Sequence, residues 1–240
     1  MKTRSMRSST VSWKSWPLST EGISVNADLH WFRKPATNGP RDKGTFNPVF
    51  ELLDHPIAVG RGGEAFASGE CELSYEDALD RAAKFAGIMR AVSEPAPQML
   101  IVEDGLKPTA LLLAVLGAMR VGTCAVIGSK GLTPRQKAEA PILRSASSAA
   151  MQHQAQAVAE SQARAGMHTA TRSLDTHFEG AELLADGPDS APSAVDTLMK
   201  QAAFKHAAAE PLGPGRTLMR LDGIEVTALE SLEAVRTLLR

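Results

Sequence analysis

The chain has 240 residues, of which 43% are hydrophobic and 22% charged, and a net charge of −1. These values fit a globular protein and exclude a coiled coil, a collagen-like fibre and a fully disordered chain. The longest apolar run, Ala110 to Met119, is about half the ~20 residues a membrane-spanning helix needs, so no membrane span is expected. The two cysteines, Cys71 and Cys124, lie far apart with no CxxC spacing, which excludes a disulfide scaffold and gives no zinc signature. Near-zero net charge gives no overall pull toward nucleic acid. Composition therefore points to a soluble, cytoplasmic and partly globular protein, and says nothing yet of its activity.

Charge divides the chain into three parts. Residues 1–45 carry eight Lys/Arg against three Asp/Glu, residues 46–134 seven against eleven, and residues 135–240 eleven against thirteen. The first part is rich in Ser, Thr, Lys and Arg and has no helical or strand period, so it reads as a mobile basic arm. An acid-poor, Ser-rich opening is also the composition of an organelle address, but Trp13, Trp16 and Pro17 interrupt any amphipathic helix there. Trp31 and Phe32 among basic residues suit stacking on a single strand, yet no nucleic-acid motif accompanies them.

Order is expected from Phe46 onward. FNPVFELLDH (46–55) reads as a short one-sided helix with Asn47 as cap and Pro48 at the first helical position. Gly60-Arg61-Gly62-Gly63 ends it, and Glu64 to Leu73 reads as two short strands around Ser68-Gly69. Ser74 then caps a long helix whose apolar face is Tyr75, Ala78, Leu79, Ala82, Ala86 and Met89. Asp80 and Lys84, four apart, fall on its wet side. Pro95 and Pro97 close this unit.

Met99 to Val102 is a buried strand by composition, ending in Glu103-Asp104-Gly105. Pro108 opens a helix through Arg120 that is apolar almost all round and must pack on more than one side. Thr123 to Ile127 is a second apolar strand. Strand, helix and strand in about 30 residues is a βαβ crossover with parallel strands.

Beyond residue 134 the pattern weakens. Pro134 to Met167 is Ala-, Ser- and Gln-rich and favours helix with a thin buried face. Gly180 to Pro192 reads as a loop, Val195 to Ala209 as a helix, Arg216 to Val226 as a hairpin about Asp222-Gly223, and Leu229 to Leu239 as a closing helix. The expected architecture is α/β: a partial parallel sheet with flanking helices, followed by a helical and irregular C-terminal tail. Its divisions are the arm 1–45, the α/β segment 46–134 and a mainly helical tail 135–240.

Few residues carry a chemical signal. Gly128-Ser129-Lys130 follows a strand, as a phosphate loop does, but lacks the GxxxxGK[ST] spacing and reads as a strand-exit loop. The Gly60–Gly63 run precedes a strand and reads as a turn. His30, His55, His153, His168, His177 and His206 are scattered without ligand spacing, so no metal ligand is assigned. Cys71 and Cys124 sit in expected strands, where cysteine is usually a small apolar filler. Glu103 and Asp104 end a parallel strand, the place where α/β enzymes put active groups.

Read together, the middle segment resembles the N-terminal portion of the adenylate-forming (AMP-binding) acyl- and aryl-CoA synthetases. FNPVFELLDH with GRGGEAFA resembles that family's "Asn…Leu-Leu-Asp-x-His…Gly-x-Gly-x-x-Ala" entry. LSYEDALDRAAKFAGIMRAV (73–92) resembles its "Thr-Tyr-x-Glu-Leu" helix. MLIVEDGLKPTALLLAVLGAMRVGTCAVIGSKGLTP (99–134) resembles its strand, its "Phe-Leu-Gly-Ala-x-Arg-x-Gly" helix and the next strand. Glu-Asp-Gly and Leu-Gly-Ala-Met-Arg lean toward benzoate-CoA ligases; Trp-Phe-x-x-Pro at 31–35 leans toward the acetyl/propionyl type. Ser93 to Gln98 departs from the family's pattern before the strand.

The resemblance implies an ancestral reaction in which ATP activates a carboxylic acid on its way to a CoA thioester, with ATP, Mg and CoA as the family's cofactors. Residues 135–240 contain no Thr-Ser-Gly-Thr-Thr-Gly-like loop, no Tyr-Gly-x-Thr-Glu and no Thr-Gly-Asp. Without a cradle for the triphosphate, the charge that develops in adenyl transfer is not stabilised. No catalytic, cofactor-binding or metal residue is therefore carried across from the family. The expectation is a truncated or degenerate ligase-family member, inactive alone, or else a non-catalytic module docking on a full-length synthetase or a complementary fragment.

Overall fold

The computed structural model describes residues 29–67, 72–93, 95–128, 130–146 and 176–232. Residues 29–45 are packed against the rest of the fold, which departs from the mobile arm expected of that stretch. Leu29 and Trp31 pack against the core, Trp31 lies edge-on to Phe46 with ring centroids 5.8 Å apart, and Arg33 bridges Thr45. Aromatic burial decides this stretch, because Arg33 satisfies its charge locally on Asp42 at 3.1 Å. Residues 1–28 of the expected arm lie outside the described residues.

Asn47 caps the first helical segment, its Oδ1 accepting from the amides of Val49 (2.9 Å) and Phe50 (3.4 Å). Pro48 follows as the first helical residue, where the missing amide has no partner to lose. The segment widens into a π-helical stretch, Phe50–Asp54, before α1 (His55–Ala58). Strands β1 (Ala65–Ala67) and β2 (Leu73–Ser74) pair antiparallel; the turn expected at Ser68-Gly69 falls outside the described residues.

Helix α2 (Tyr75–Val92) starts at Ser74, whose Oγ accepts from the amide of Asp77 at 3.1 Å. Ala78, Ala82, Ala86 and Met89 are fully buried, as their spacing requires. Asp80 and Lys84 do not pair with each other. His206 takes Asp80 at 2.8 Å, and the Lys84 ammonium donates to the carbonyls of Gln201 and Phe204.

Strand β3 (Met99–Val102), helix α3 (Pro108–Arg120) and strand β4 (Cys124–Ile127) form the expected crossover unit. β3 and β4 are parallel, with Leu100 opposite Ala125. A Cβ on Gly117 would lie 2.8 Å from the Ala82 carbonyl oxygen, so the absence of a side chain there lets α2 and α3 approach closely.

The tail adds more sheet than its composition suggests. Helix α4 (Pro134–Glu139) leads to β5 (Ile142–Ser145), parallel to β3 on its other side. Strands β6 (Ala181–Leu184) and β7 (Ser193–Ala194) extend that edge antiparallel, and helix α5 (Val195–Lys200) follows. Strands β8 (Thr217–Leu221) and β9 (Ile224–Thr227) complete the other edge, β8 parallel to β4. The sheet order is β7-β6-β5-β3-β4-β8-β9.

Two expectations for the tail are thereby corrected. Gly180 to Pro192 is not all loop, because Ala181–Leu184 is a strand buried at every position. Its two faces meet two layers: Ala181 and Leu183 join the main core, Leu184 the smaller one. Residues 195–209 do not form one helix: α5 stops at Lys200, and the chain then crosses α2 as an irregular strap. The described residues of 135–240 hold five strands beside their short helices. The hairpin about Asp222-Gly223 is present, both residues having positive φ (50° and 86°), the pairing a type I′ turn demands. A closing helix starts at 228 and is described to 232. The rest of the expected helix, to Leu239, and most of the Pro134 to Met167 stretch lie outside the described residues.

Candidate functional site

In an open α/β sheet, ligands bind outside the carboxyl ends of parallel strands, where neighbouring connections leave toward opposite faces. That point lies between β3 and β4. The β3 exit leads to α3, whose Leu113 and Leu116 join the main core with Leu100 and Val102. The β4 exit leads to Leu132 and Ala140, which cover Ile101, Val126 and Ile142 on the other face. The crevice is therefore bounded by Glu103-Asp104-Gly105 and by the loop from Gly128 to Gly131. Gly105, Gly128 and Gly131 have φ of 92°, 76° and 78°, a backbone that only glycine adopts without strain.

Glu103, Asp104 and Lys130 are exposed there, so the structure brings together the two acids and the loop singled out from the sequence. Three amides around this loop are taken by protein acceptors, those of Gly128, Thr133 and Gln136. Gly128 N donates to Val102 O at 3.0 Å. Pro134, the first residue of α4, is preceded by Thr133 in a reciprocal capping box with Gln136, which removes two more free donors. Lys107, the nearest cation on the β3 side in sequence, pairs with Glu179 at 2.7 Å. This end of the sheet presents two solvated carboxylates, Glu103 and Asp104.

The Gly60–Gly63 turn has a structural task that its glycines hinted at. Gly62 O accepts from Glu76 N at 3.1 Å and Glu64 O from Tyr75 N at 3.1 Å. With Ser74 on Asp77, three first-turn amides of α2 are satisfied by protein. That helix start cannot hold a phosphate.

The remaining candidates separate. Cys124 is free and mostly buried, and burial pushes its thiol up to about 11, so it stays protonated and inert at neutral pH. Cys71, His153 and His168 lie outside the described residues. His30 stacks on His55 at 3.9 Å and reaches Glu51 at 3.2 Å, His206 pairs with Asp80, and His177 sits in a 3₁₀ turn (Thr176–Phe178). Among the described residues, no group of three or more His, Cys, Asp or Glu side chains is placed to hold a metal ion.

What the sequence reading missed is a buried polar network. Arg120, 5% exposed, holds Asp54 with two hydrogen bonds of 2.6 and 2.9 Å and gives its Nε to Ala207 O at 2.7 Å. Asn47 donates to Arg120 O and Glu210 O at 3.0 and 2.8 Å. Glu210 N returns a bond to Arg120 O at 2.9 Å. Asn47, Asp54 and Arg120 all belong to the phrases that resemble the synthetase family. Their work here is to tie the first helical segment, the end of α3 and the strap together.

No known family model matches the chain, and no curated protein matches it either. Solved structures do. A benzoate CoA ligase from Burkholderia xenovorans LB400 is 19% identical over 72% of this chain and 32% of its own, with a TM-score of 0.41. Apo MatB from Rhodopseudomonas palustris is 17% identical over 76% of this chain and 34% of its own, with a TM-score of 0.43. ATP-bound MatB gives 17%, 72%, 31% and 0.41. The chain thus spans about a third of the length of these neighbours.

Proposed function

We propose that this chain is a relative of the adenylate-forming acyl/aryl-CoA synthetases that keeps part of their α/β scaffold and does not catalyse the ligase reaction alone. The observation that carries this reading is the destination of the family-like residues. Asn47, Asp54 and Arg120 converge on one buried network, while the Gly60–Gly63 turn caps a helix. These are scaffold roles, and residues with scaffold roles survive when chemistry is lost. The amides of Gly128, Thr133 and Gln136, already bonded to protein acceptors, support the same reading, since adenyl transfer requires donors aimed at the triphosphate.

In this reading the ancestral reaction is activation of a carboxylic acid by ATP and its transfer to CoA, in a cytoplasmic setting. The partner is a full-length synthetase or a complementary fragment. The sheet edge favours such a partner: among the described residues β9 is terminal in the sheet order, and Ile224 on it is 49% exposed. Unpaired edges invite strand addition. The test incubates the full chain with ATP, Mg, CoA and a panel of short, fatty and aromatic acids, and assays AMP and thioester. No product above a heat-killed control is expected. Thioester formation with any acid overturns the proposal.

A further inference from the structure

A second concavity lies at the opposite end of the sheet from the crevice. It is a cleft of about 1190 Å³ between the end of α2, the Pro95–Gln98 approach to β3, and the strap. Gln98, Gly122 and Arg216 each immediately precede or lie within two residues of the start of β3, β4 and β8, which places the cleft at their amino ends. Pro95, Val121 and Phe204 give it an apolar wall, and Arg90, Lys205 and Arg216 give it three cations. Among the described lining residues the one carboxylate is Glu210.

The cations are only partly committed. Arg90 directs Nε and Nη2 at a single oxygen of Glu210, at 3.2 and 2.7 Å. Arg216 uses Nη2 on Gly122 O at 2.9 Å, leaving the rest of its fork. His206 is held by Asp80 at 2.8 Å. Against the cations stand Glu210 and the carboxyl ends of α2 and α3, each worth about half a negative charge. Among the described lining side chains, three cations, Arg90, Lys205 and Arg216, stand against the one carboxylate of Glu210.

We propose that this cleft binds a phosphate monoester with an apolar organic body, the phosphate on Arg216 and Lys205 and the body on the Pro95–Val121–Phe204 wall. Guanidinium fork plus ammonium is the donor set that suits a phosphate dianion. An apolar wall with a few converging polar groups is the usual composition of a small-molecule site. Glu210 holds Arg90 when the ligand is absent, as an internal anion that the ligand's phosphate displaces. The strap supplies Phe204, Lys205 and Glu210 together, so occupation and strap position are linked. Gly87 fixes the strap's approach, because a Cβ there would lie 1.7 Å from the Lys205 carbonyl oxygen.

The test titrates the full chain with phenyl phosphate, inorganic phosphate and benzyl alcohol, read by calorimetry and by amide shifts of Gly122 and His206. Phenyl phosphate is expected to bind with shifts confined to the cleft, inorganic phosphate more weakly, and benzyl alcohol weakest. Lys205→Gln and Arg216→Gln, both at exposed positions, are each expected to weaken phenyl phosphate by about tenfold, the cost of one charge-assisted hydrogen bond. Glu210→Gln is expected to tighten it. Equal binding of benzyl alcohol, equal binding of inorganic phosphate, no binding of phenyl phosphate, or unchanged affinity in both Gln variants overturns the proposal. None of these results bears on ligase activity.

Discussion

Arg120 and Asp54, 66 residues apart, meet in a two-point ion pair at 2.6 and 2.9 Å with side chains 6% and 21% exposed. The pair joins the end of α3 to the π-helical stretch, and the third donor of Arg120 fixes the strap at Ala207. Removing one partner of such a pair leaves the other charge poorly solvated.

Arg120→Ala is therefore expected to destabilise the fold by about 3–5 kcal/mol, measured by urea denaturation. Asp54→Asn should cost less on its own, and the double variant should lose less than the two single losses combined, since the second change removes an already stranded group. Full additivity would show that the pair is not coupled.

Asn47 is fully buried and uses its carbonyl oxygen on two helix-start amides and its amide nitrogen on two carbonyls. Asn47→Asp keeps the cap but turns a donor into an acceptor facing Arg120 O and Glu210 O. It should cost more than Asn47→Ser, which keeps a cap without the added charge. Equal melting temperatures for the two variants would contradict this.

Gly87 and Gly213 give a paired test of close approach. Gly87→Ala places a methyl on the strap backbone and should cost about 1–3 kcal/mol as overpacking. Hydrogen exchange should quicken at Ala207, whose amide bonds Ala83 O at 2.9 Å. A Cβ at Gly213 meets nothing within 4 Å, so Gly213→Ala should change neither measurement.

The sequence made some of this legible and hid the rest for physical reasons. β3, α3 and β4 were readable nearly to the residue because each is a continuous apolar run bounded by proline or glycine. β6 was not, because Ala181-Glu182-Leu183-Leu184 has no β-branched residue and sits between Gly180 and Asp186-Gly187; what makes it a strand is burial on both faces. The helix expected to reach Ala209 ends at Lys200 because tertiary contacts hold the following carbonyls: Lys84 takes two of them and Arg120 a third. The crevice acids were visible as strand-end residues. The Arg120 network was not, since its members are joined only through the fold, although Asn47, Asp54 and Arg120 all stood in recognisable phrases.

Cys124 provides a test by chemistry. Burial raises its thiol to about 11, so the folded state holds its proton through the pH range where an unfolded cysteine loses it. The native state thus binds more protons than the unfolded one between the ordinary thiol range and about 11, and this contribution to stability falls as pH rises through that window. At pH 8, iodoacetamide should label the Cys124 peptide far more slowly in the native protein than in urea, as followed by mass spectrometry. Equal rates would contradict the burial of this thiol.

The central proposal is that the scaffold residues persist without a grip on the triphosphate, and exchange of labelled pyrophosphate into ATP tests it most directly. This half-reaction needs neither CoA nor product release, so a slow enzyme still registers. With Mg, ATP and each acid of the panel, the full-length chain is expected to give exchange no faster than a no-protein control. Acid-dependent exchange above that control, abolished by omitting the acid, would show that the chain forms an adenylate and contradict the proposal.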